Sequence, residues 1–193
     1  PEPSMGQLEE VLPAEAPTAT TISADYSVHF DGLSGCAVFY RPNENTYRFY
    51  NETECSLRVS PCSTFKIPAS LIALETNVLR ADDSTIAWDG TTWAISQWNA
   101  DQTLHSAFQS SCVWYFRKVI DHVAPDTMQQ QLDRLQYGNG DISEWEGRGF
   151  NPPGIDGFWL ESSLEISPLE QVEVISRIFE GQTAFDTKDI AVV

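Results

Sequence analysis

Ser63 and Lys66 have the residue types and the spacing for nucleophilic catalysis, because side chains three residues apart share one face of a helix. A serine hydroxyl becomes a good nucleophile when a neighbouring base removes its proton. A lysine can be that base if apolar surroundings disfavour its charged form, and residues 67–74 are strongly apolar. We therefore predict that Ser63 is a nucleophile and that Lys66 is its base.

Further short segments follow this pair in a characteristic order. They are 88–90 (Trp-Asp-Gly), 111–113 (Ser-Cys-Val), 137–139 (Tyr-Gly-Asn) and 158–161 (Phe-Trp-Leu-Glu). Together with Ser-x-x-Lys, which is found in β-lactamases and penicillin-binding proteins, they resemble the class D (oxacillin-hydrolysing) β-lactamases. The resemblance covers residues 26–179.

The resemblance implies a role for each catalytic residue. Ser111 would carry a proton between Lys66 and the leaving nitrogen of a β-lactam, and Val113 would form an apolar wall over Lys66. Lys66 would be modified by carbon dioxide to a carbamate that acts as the general base, and Trp159 would donate its indole N–H to that carbamate. No other cofactor and no metal ion is implied.

Three more residues, Tyr137, Asn139 and Leu160, are predicted on the same resemblance to line the substrate site. Structural roles are open to all of these positions as well. Serine favours helix N-caps, Tyr-Gly-Asn is typical of a turn with a left-handed glycine, and a large aromatic residue packs well in a core.

Two functions share these motifs. The first is hydrolysis of β-lactams through an acyl-enzyme on Ser63. The second is a β-lactam sensor of a transmembrane receptor, acylated on Ser63 without turnover. Phe65 and Ile67-Pro68 look like the enzymes, whereas Trp114-Tyr115-Phe116 and residues 166–172 also look like the sensors. We predict the enzyme; a non-catalytic binding module would require an unreactive serine.

Composition limits the partners and the compartment. The net charge of −17 argues against binding to nucleic acid or to anionic membranes, both of which need clustered Lys and Arg. No stretch of the 193 residues is as apolar and as long as a membrane span. We predict small β-lactams as partners and an extracytoplasmic location, and the oligomeric state is left open.

The four cysteines do not form a metal motif. They are Cys36, Cys55, Cys62 and Cys112, with no Cys-x-x-Cys pair among them, and the three histidines are scattered. Small buried thiols are the ordinary interpretation of each one. A disulfide is possible in an extracellular setting, but the sequence does not choose among the three full pairings.

The pattern along the chain predicts a mixed fold. Residues 1–24 are predicted to be a flexible acidic leader, and 25–193 to be the penicillin-recognising domain. A hairpin is predicted around the turn at 42–45, and helices over 63–79, 107–123 and 126–135, with a last helix opened by a capping box at 167–170. This order indicates an α/β (α+β) sandwich of the serine β-lactamase and penicillin-binding type, with a helical region and an antiparallel sheet.

The family pattern continues after the last helix with a Lys-Thr/Ser-Gly triplet on a strand. Here Thr187-Lys188-Asp189 has no glycine and follows that helix too soon. We therefore expect the domain to be incomplete at its C-terminus. The expected strand would supply a second oxyanion N–H and a cation for the carboxylate of the drug.

Overall fold

A computed structural model describes residues 18–152 and 154–193. Most of the predicted leader, residues 1–17, lies outside the described residues. Within its last part, Thr20–Ser23 forms strand β1. The β-branched Thr20, Thr21 and Ile22 favour an extended backbone, and the parallel partner strand satisfies their hydrogen bonds.

A three-stranded sheet is formed within the described ranges. Strands β2 (Ala37–Arg41) and β3 (Thr46–Tyr50) pair antiparallel, with Ala37 opposite Tyr50, as the predicted hairpin requires. A 3-10 turn at Pro42–Glu44 connects them. Strand β1 adds to β3 in parallel, so the order is β1-β3-β2 and the sheet is mixed rather than purely antiparallel.

Helix α2 (Lys66–Glu75) lies at the centre of the helical layer. It continues a 3-10 turn over Cys62–Phe65, so Ser63 stands one turn before the helix proper. The helix ends at Glu75 rather than near Leu79 as predicted, because Asn77 adopts a left-handed conformation with φ +58° that no helix can continue. Four core side chains on it are fully buried, namely Ala69, Leu71, Ile72 and Ala73.

The helix predicted over 107–123 is in fact two helices. Helix α3 (Leu104–Gln109) and helix α4 (Val113–Val123) are separated at Ser111, whose φ of +51° breaks the helical path. A one-helix interpretation was attractive because the apolar positions keep their period across the break. Helix α4 packs its apolar side against α2.

The other helices of the described ranges lie against this pair or against the sheet. They are α1 (Glu52–Cys55), α5 (Pro125–Leu135), α6 (Pro168–Phe179) and α7 (Thr187–Ile190). The predicted capping box is present, since the Ser167 hydroxyl accepts from the Glu170 N–H at 3.2 Å and the Glu170 carboxylate accepts from the Ser167 N–H at 2.9 Å. Helix α6 lies against β2 and so joins the two layers. No helix in the described part of the chain is long and apolar enough to cross a bilayer.

The turn at Gly138 brings two distant segments together. Gly138 has φ +54°, and a Cβ atom added to it would lie 2.0 Å from the Glu165 carbonyl oxygen. The neighbouring Asn139 amide donates to the Ser163 carbonyl at 2.8 Å and accepts from the Glu165 N–H at 3.0 Å. Position 138 therefore requires glycine, because a side chain would clash with the backbone of Glu165.

Gly138→Ala should destabilise the fold far more than Gly149→Ala. Gly149 also has a positive φ (+76°), but nothing lies within 4 Å of its added Cβ. The control should lose about 1–2 kcal/mol for the left-handed backbone alone, and Gly138→Ala a further ~1–3 kcal/mol for the clash. Urea unfolding of the two variants measures the difference; equal losses would contradict the close approach.

Candidate active site

Three polar side chains meet at the start of α2. Lys66 Nζ lies 2.9 Å from Ser63 Oγ and 3.1 Å from Ser111 Oγ, and the two hydroxyl oxygens are 3.1 Å apart. The predicted nucleophile, base and shuttle thus form a closed triangle of hydrogen-bonding contacts. Any of the three atoms can exchange a proton with the other two.

The backbone around the triangle is held in uncommon conformations. Cys62, just before Ser63, has φ +47°, and Ser111 has φ +51°. Left-handed conformations of non-glycine residues cost of order 1–3 kcal/mol each and persist only where the surroundings enforce them. At Ser111 the enforcement comes from its own N–H, which donates to the Phe108 carbonyl at 3.1 Å, and from the Cys112 N–H, which donates to Ala107 at 2.8 Å.

Lys66 is a buried lysine, with only 3% of its surface exposed, whereas Ser63 is exposed. Its ammonium lies 5.4 Å from the centre of the Phe116 ring, and its two hydrogen-bond partners are neutral hydroxyls. Burial lowers the pKa of Lys66 to about 8, against a smaller opposing effect of the Cys112 and Cys62 thiols. A useful fraction of neutral amine is therefore present near pH 7.

Trp159 is held beside the 3-10 turn that carries Ser63, which we call the nucleophile turn (Cys62–Phe65). Its carbonyl oxygen accepts from the Cys62 N–H at 2.9 Å and from the Ser60 hydroxyl at 2.8 Å. Its ring stacks on Phe65 at a centroid distance of 6.1 Å. Among the residues that the structure describes, no protein atom accepts a hydrogen bond from its indole N–H.

Arg117 supports Trp159 from the other side. Its guanidinium lies 5.3 Å from the Trp159 ring and 5.2 Å from the Trp145 ring, and it donates to the Trp145 carbonyl at 2.7 Å. It also pairs with Asp121 one turn along α4. A buried arginine between two indoles orients both rings through cation–π contact.

Four residues predicted to line the substrate site differ in what they contact. Val113, the first residue of α4, and Leu160 are partly buried and pack at the edge of the core. Tyr137 is 1% exposed, with its ring edge-on to Phe65, and burial raises its pKa. Both ends of the Asn139 amide are bonded to backbone groups. Tyr137 and Asn139 thus contact the protein itself, and their contact with a substrate stays a prediction.

Sequence reasoning missed the residues that surround Lys66 and Trp159. Phe116 was marked only as an apolar helix position, and Arg117 was not singled out. One signal was available for Arg117: it lies four residues after Val113 and three before Ile120, on the buried side of α4. A charged residue at such a position calls for a partner, here supplied by two tryptophans and Asp121.

The chain is similar to known proteins in sequence and in fold. The family model of the penicillin binding protein transpeptidase domain matches residues 36–185. The regulatory protein BlaR1 of Bacillus licheniformis is 37% identical over 171 residues, covering 88% of this chain and 27% of that protein. The chain therefore spans about a quarter of the length of that relative.

Two solved structures have the same fold. The C-terminal domain of the Bacillus licheniformis BlaR penicillin-receptor superposes with a TM-score of 0.81 at 35% identity, covering 92% of this chain and 69% of that one. The class D β-lactamase BAT-2 superposes with a TM-score of 0.79 at 34% identity, covering 88% and 68%. These neighbours confirm the predicted fold class.

The buried amine predicts a pH dependence of stability. Because the pKa of Lys66 falls from 10.5 to about 8 on folding, the unfolded chain binds more protons than the folded one between these values. In bicarbonate-free buffer, the free energy of unfolding of the wild type should rise with pH across this window relative to Lys66→Met, and stay parallel to it below about pH 8. Urea unfolding of both proteins tests this; parallel curves throughout would contradict it.

The conformation of Ser111 predicts a difference between two variants that both lack its hydroxyl. Ser111→Gly should be more stable than Ser111→Ala by about 1 kcal/mol, because only glycine adopts the left-handed backbone without cost. Thermal or urea unfolding measures the pair. If alanine is as stable as glycine here, the strain assigned to this residue is absent.

Proposed function

Because the chain belongs to the family of penicillin binding protein transpeptidase domains, we propose that it reacts with β-lactams through Ser63 and hydrolyses the resulting acyl-enzyme. One observation carries the proposal, the triangle of Ser63, Lys66 and Ser111 with sides of 2.9, 3.1 and 3.1 Å. Its atoms are close enough for proton transfer, and the nucleophile alone of the three faces solvent freely.

Acylation follows from the positions of the three groups. The lone pair of neutral Lys66 accepts the proton of Ser63 as its oxygen attacks the lactam carbonyl carbon. As the C–N bond breaks, Ser111 gives its proton to the lactam nitrogen and takes the proton held by Lys66, so the hydroxyl and the neutral amine are both restored. An ester on Ser63 and a free amine in the opened ring result, with the Ser63 N–H supporting the developing oxyanion.

Carboxylation of Lys66 by carbon dioxide fits the surroundings of this lysine. The reaction needs a neutral amine away from water, and Lys66 is 3% exposed with a pKa lowered to about 8. The unpartnered indole N–H of Trp159 is a suitable donor to the new carboxylate if the two groups meet. A carbamate would supply a carboxylate that is already unprotonated near neutral pH, as a base for Ser63 and later for water.

Hydrolysis requires a base after acylation. Lys66 keeps its position next to the ester oxygen and can take a proton from an attacking water. Its two described hydrogen-bond partners are uncharged, so nothing in direct contact holds it in its ammonium form. Val113, at the start of α4, also brings no polar group to this wall. These features favour turnover.

A β-lactam sensor is the second candidate, and one specific observation favours it. The chain is 37% identical to BlaR1, a regulatory protein, and the BlaR penicillin-receptor domain has the same fold. A sensor would form the same ester on Ser63 and keep it. Both candidates imply an extracytoplasmic location, where β-lactams are met, and neither needs nucleic acid.

The first test follows the fate of the adduct. Mixing the protein with a penicillin should raise the intact mass by the mass of the drug. Ser63→Ala should abolish the rise, whereas Ser56→Ala, at an exposed serine outside the triangle, should not. Hydrolysis of nitrocefin should then continue well beyond one equivalent. A single burst with an adduct that lasts for hours would establish the sensor, and an adduct on Ser63→Ala would remove Ser63 as the nucleophile.

The second test concerns the modification of Lys66. Labelled carbon dioxide should give a carbamate carbon signal by NMR that is absent in Lys66→Met and weaker in Trp159→Phe, which keeps an aromatic ring but lacks the N–H. Bicarbonate should restore activity lost after acid treatment. Activity that is indifferent to bicarbonate, with no carbamate signal, would leave the amine itself as the base.

A further inference from the structure

Two cysteines that the proposed reaction does not use lie at one end of the sheet. Cys36 immediately precedes β2, and Cys55 is the last residue of α1. The hairpin register places Ala37 opposite Tyr50, so the residues before β2 and after β3 are neighbours. Cys55 Sγ returns to this point and lies 3.5 Å from the Tyr50 carbonyl.

The residues that flank the β2–β3 hairpin next to this pair are joined by a hydrogen bond. The Asn51 amide donates to the Gly35 carbonyl, which closes the end of the hairpin. Helix α1 then makes one turn, packed against β2 and β3, and carries Cys55 back toward Cys36. Burial and, to a smaller extent, the neighbouring Cys36 thiol raise the pKa of Cys55 to about 12; Cys55 is fully buried and Cys36 is partly exposed.

We propose that Cys36 and Cys55 form an intramolecular disulfide when the protein meets a disulfide donor. This pairing selects one of the alternatives that the sequence leaves open. The other two cysteines are elsewhere: Cys62 lies 3.8 Å from the Ser60 hydroxyl in the nucleophile turn, and Cys112 is buried beside Lys66.

The accessibility of the two thiols sets the order of the exchange. The partly exposed Cys36, as thiolate, attacks a low-molecular-weight disulfide and releases one thiolate from it. Cys55 then loses its proton and attacks the Cys36 sulfur of the mixed disulfide, releasing the second thiolate. Two protein thiols are oxidised, one donor disulfide is reduced to two thiols, and the two protons leave to solvent. Burial of Cys55, which raises the pKa of its thiol, makes the second step the slow one.

A disulfide between Cys36 and Cys55 would restrain the segment that leads into Ser63. Helix α1 leads within a few residues into Ser60 and the turn over Cys62–Phe65, so a link from Cys55 to the sheet restrains the segment that enters the site. Closing a loop of about 20 residues restricts mainly the unfolded chain. The melting temperature of the oxidised protein should exceed that of the reduced protein by roughly 5–12 °C.

Peptide mapping tests the pairing directly, because trypsin places each cysteine in its own peptide. These peptides are 1–48, 49–58, 59–66 and 81–117. The protein is equilibrated with oxidised glutathione, alkylated with iodoacetamide under denaturing conditions and digested without reduction. We expect 1–48 joined to 49–58, a loss of about 2 Da in intact mass from the two hydrogens removed, and alkylation of the other two cysteines.

Three variants complete the experiment. Cys36→Ser and Cys55→Ser should each lose the joined peptide and the difference in melting temperature between oxidised and reduced protein. Cys62→Ser should keep both. Four alkylated cysteines, a joined peptide of any other pair, or glutathione held on Cys36 without closure would overturn the proposal. None of these readouts depends on β-lactam chemistry, so the disulfide can be tested whether or not the proposed function is correct.

Discussion

The burial of Lys66 beside two hydroxyls is the constraint on which the rest of the site depends. A lysine in water is a cation with no lone pair to offer, and only the removal of solvent makes its amine a base at ordinary pH. Burying this amine costs free energy of solvation, and packed neighbours hold it in place nonetheless. Helix α2 is almost wholly buried behind it, and the Phe116 ring lies next to its ammonium.

The two layers contribute differently to this arrangement. The helical layer supplies Ser63, Lys66 and Ser111, the last through a strained break between α3 and α4. The long segment between α5 and α6 supplies Trp159, and it is braced by Gly138 and Asn139 and by the stacked Arg117. The sheet contacts the site less directly, through α6 and through the segment that follows α1.

The sequence predicts the contact between Ser63 and Lys66 well because it is local. Ser-x-x-Lys needs only one turn of helix to become a contact, and a capping box such as Ser167 and Glu170 carries its own partners. It fails where tertiary contacts override local pattern. The apolar period runs through Ser111, so nothing local announces the left-handed break, and nothing near Thr20 announces that a third strand will pair with β3. No local pattern announces that the Tyr137 ring packs on Phe65 or that the Asn139 amide bonds to the backbone of a distant segment.

The Trp159 carbonyl oxygen links two distant segments of the chain. Both of its lone pairs are engaged, one by the Cys62 N–H and one by the Ser60 hydroxyl, and that same hydroxyl accepts from the Glu161 N–H at 2.8 Å. The segments around Ser60 and Trp159, about a hundred residues apart in sequence, are thereby joined by hydrogen bonds at one oxygen atom. Because these bonds join the turn that carries Ser63 to Trp159 through one oxygen, we expect the two segments to move together. Substitutions in the exposed loops that spare Ser60 and Trp159 should then leave the distance between Ser63 and Trp159 unchanged.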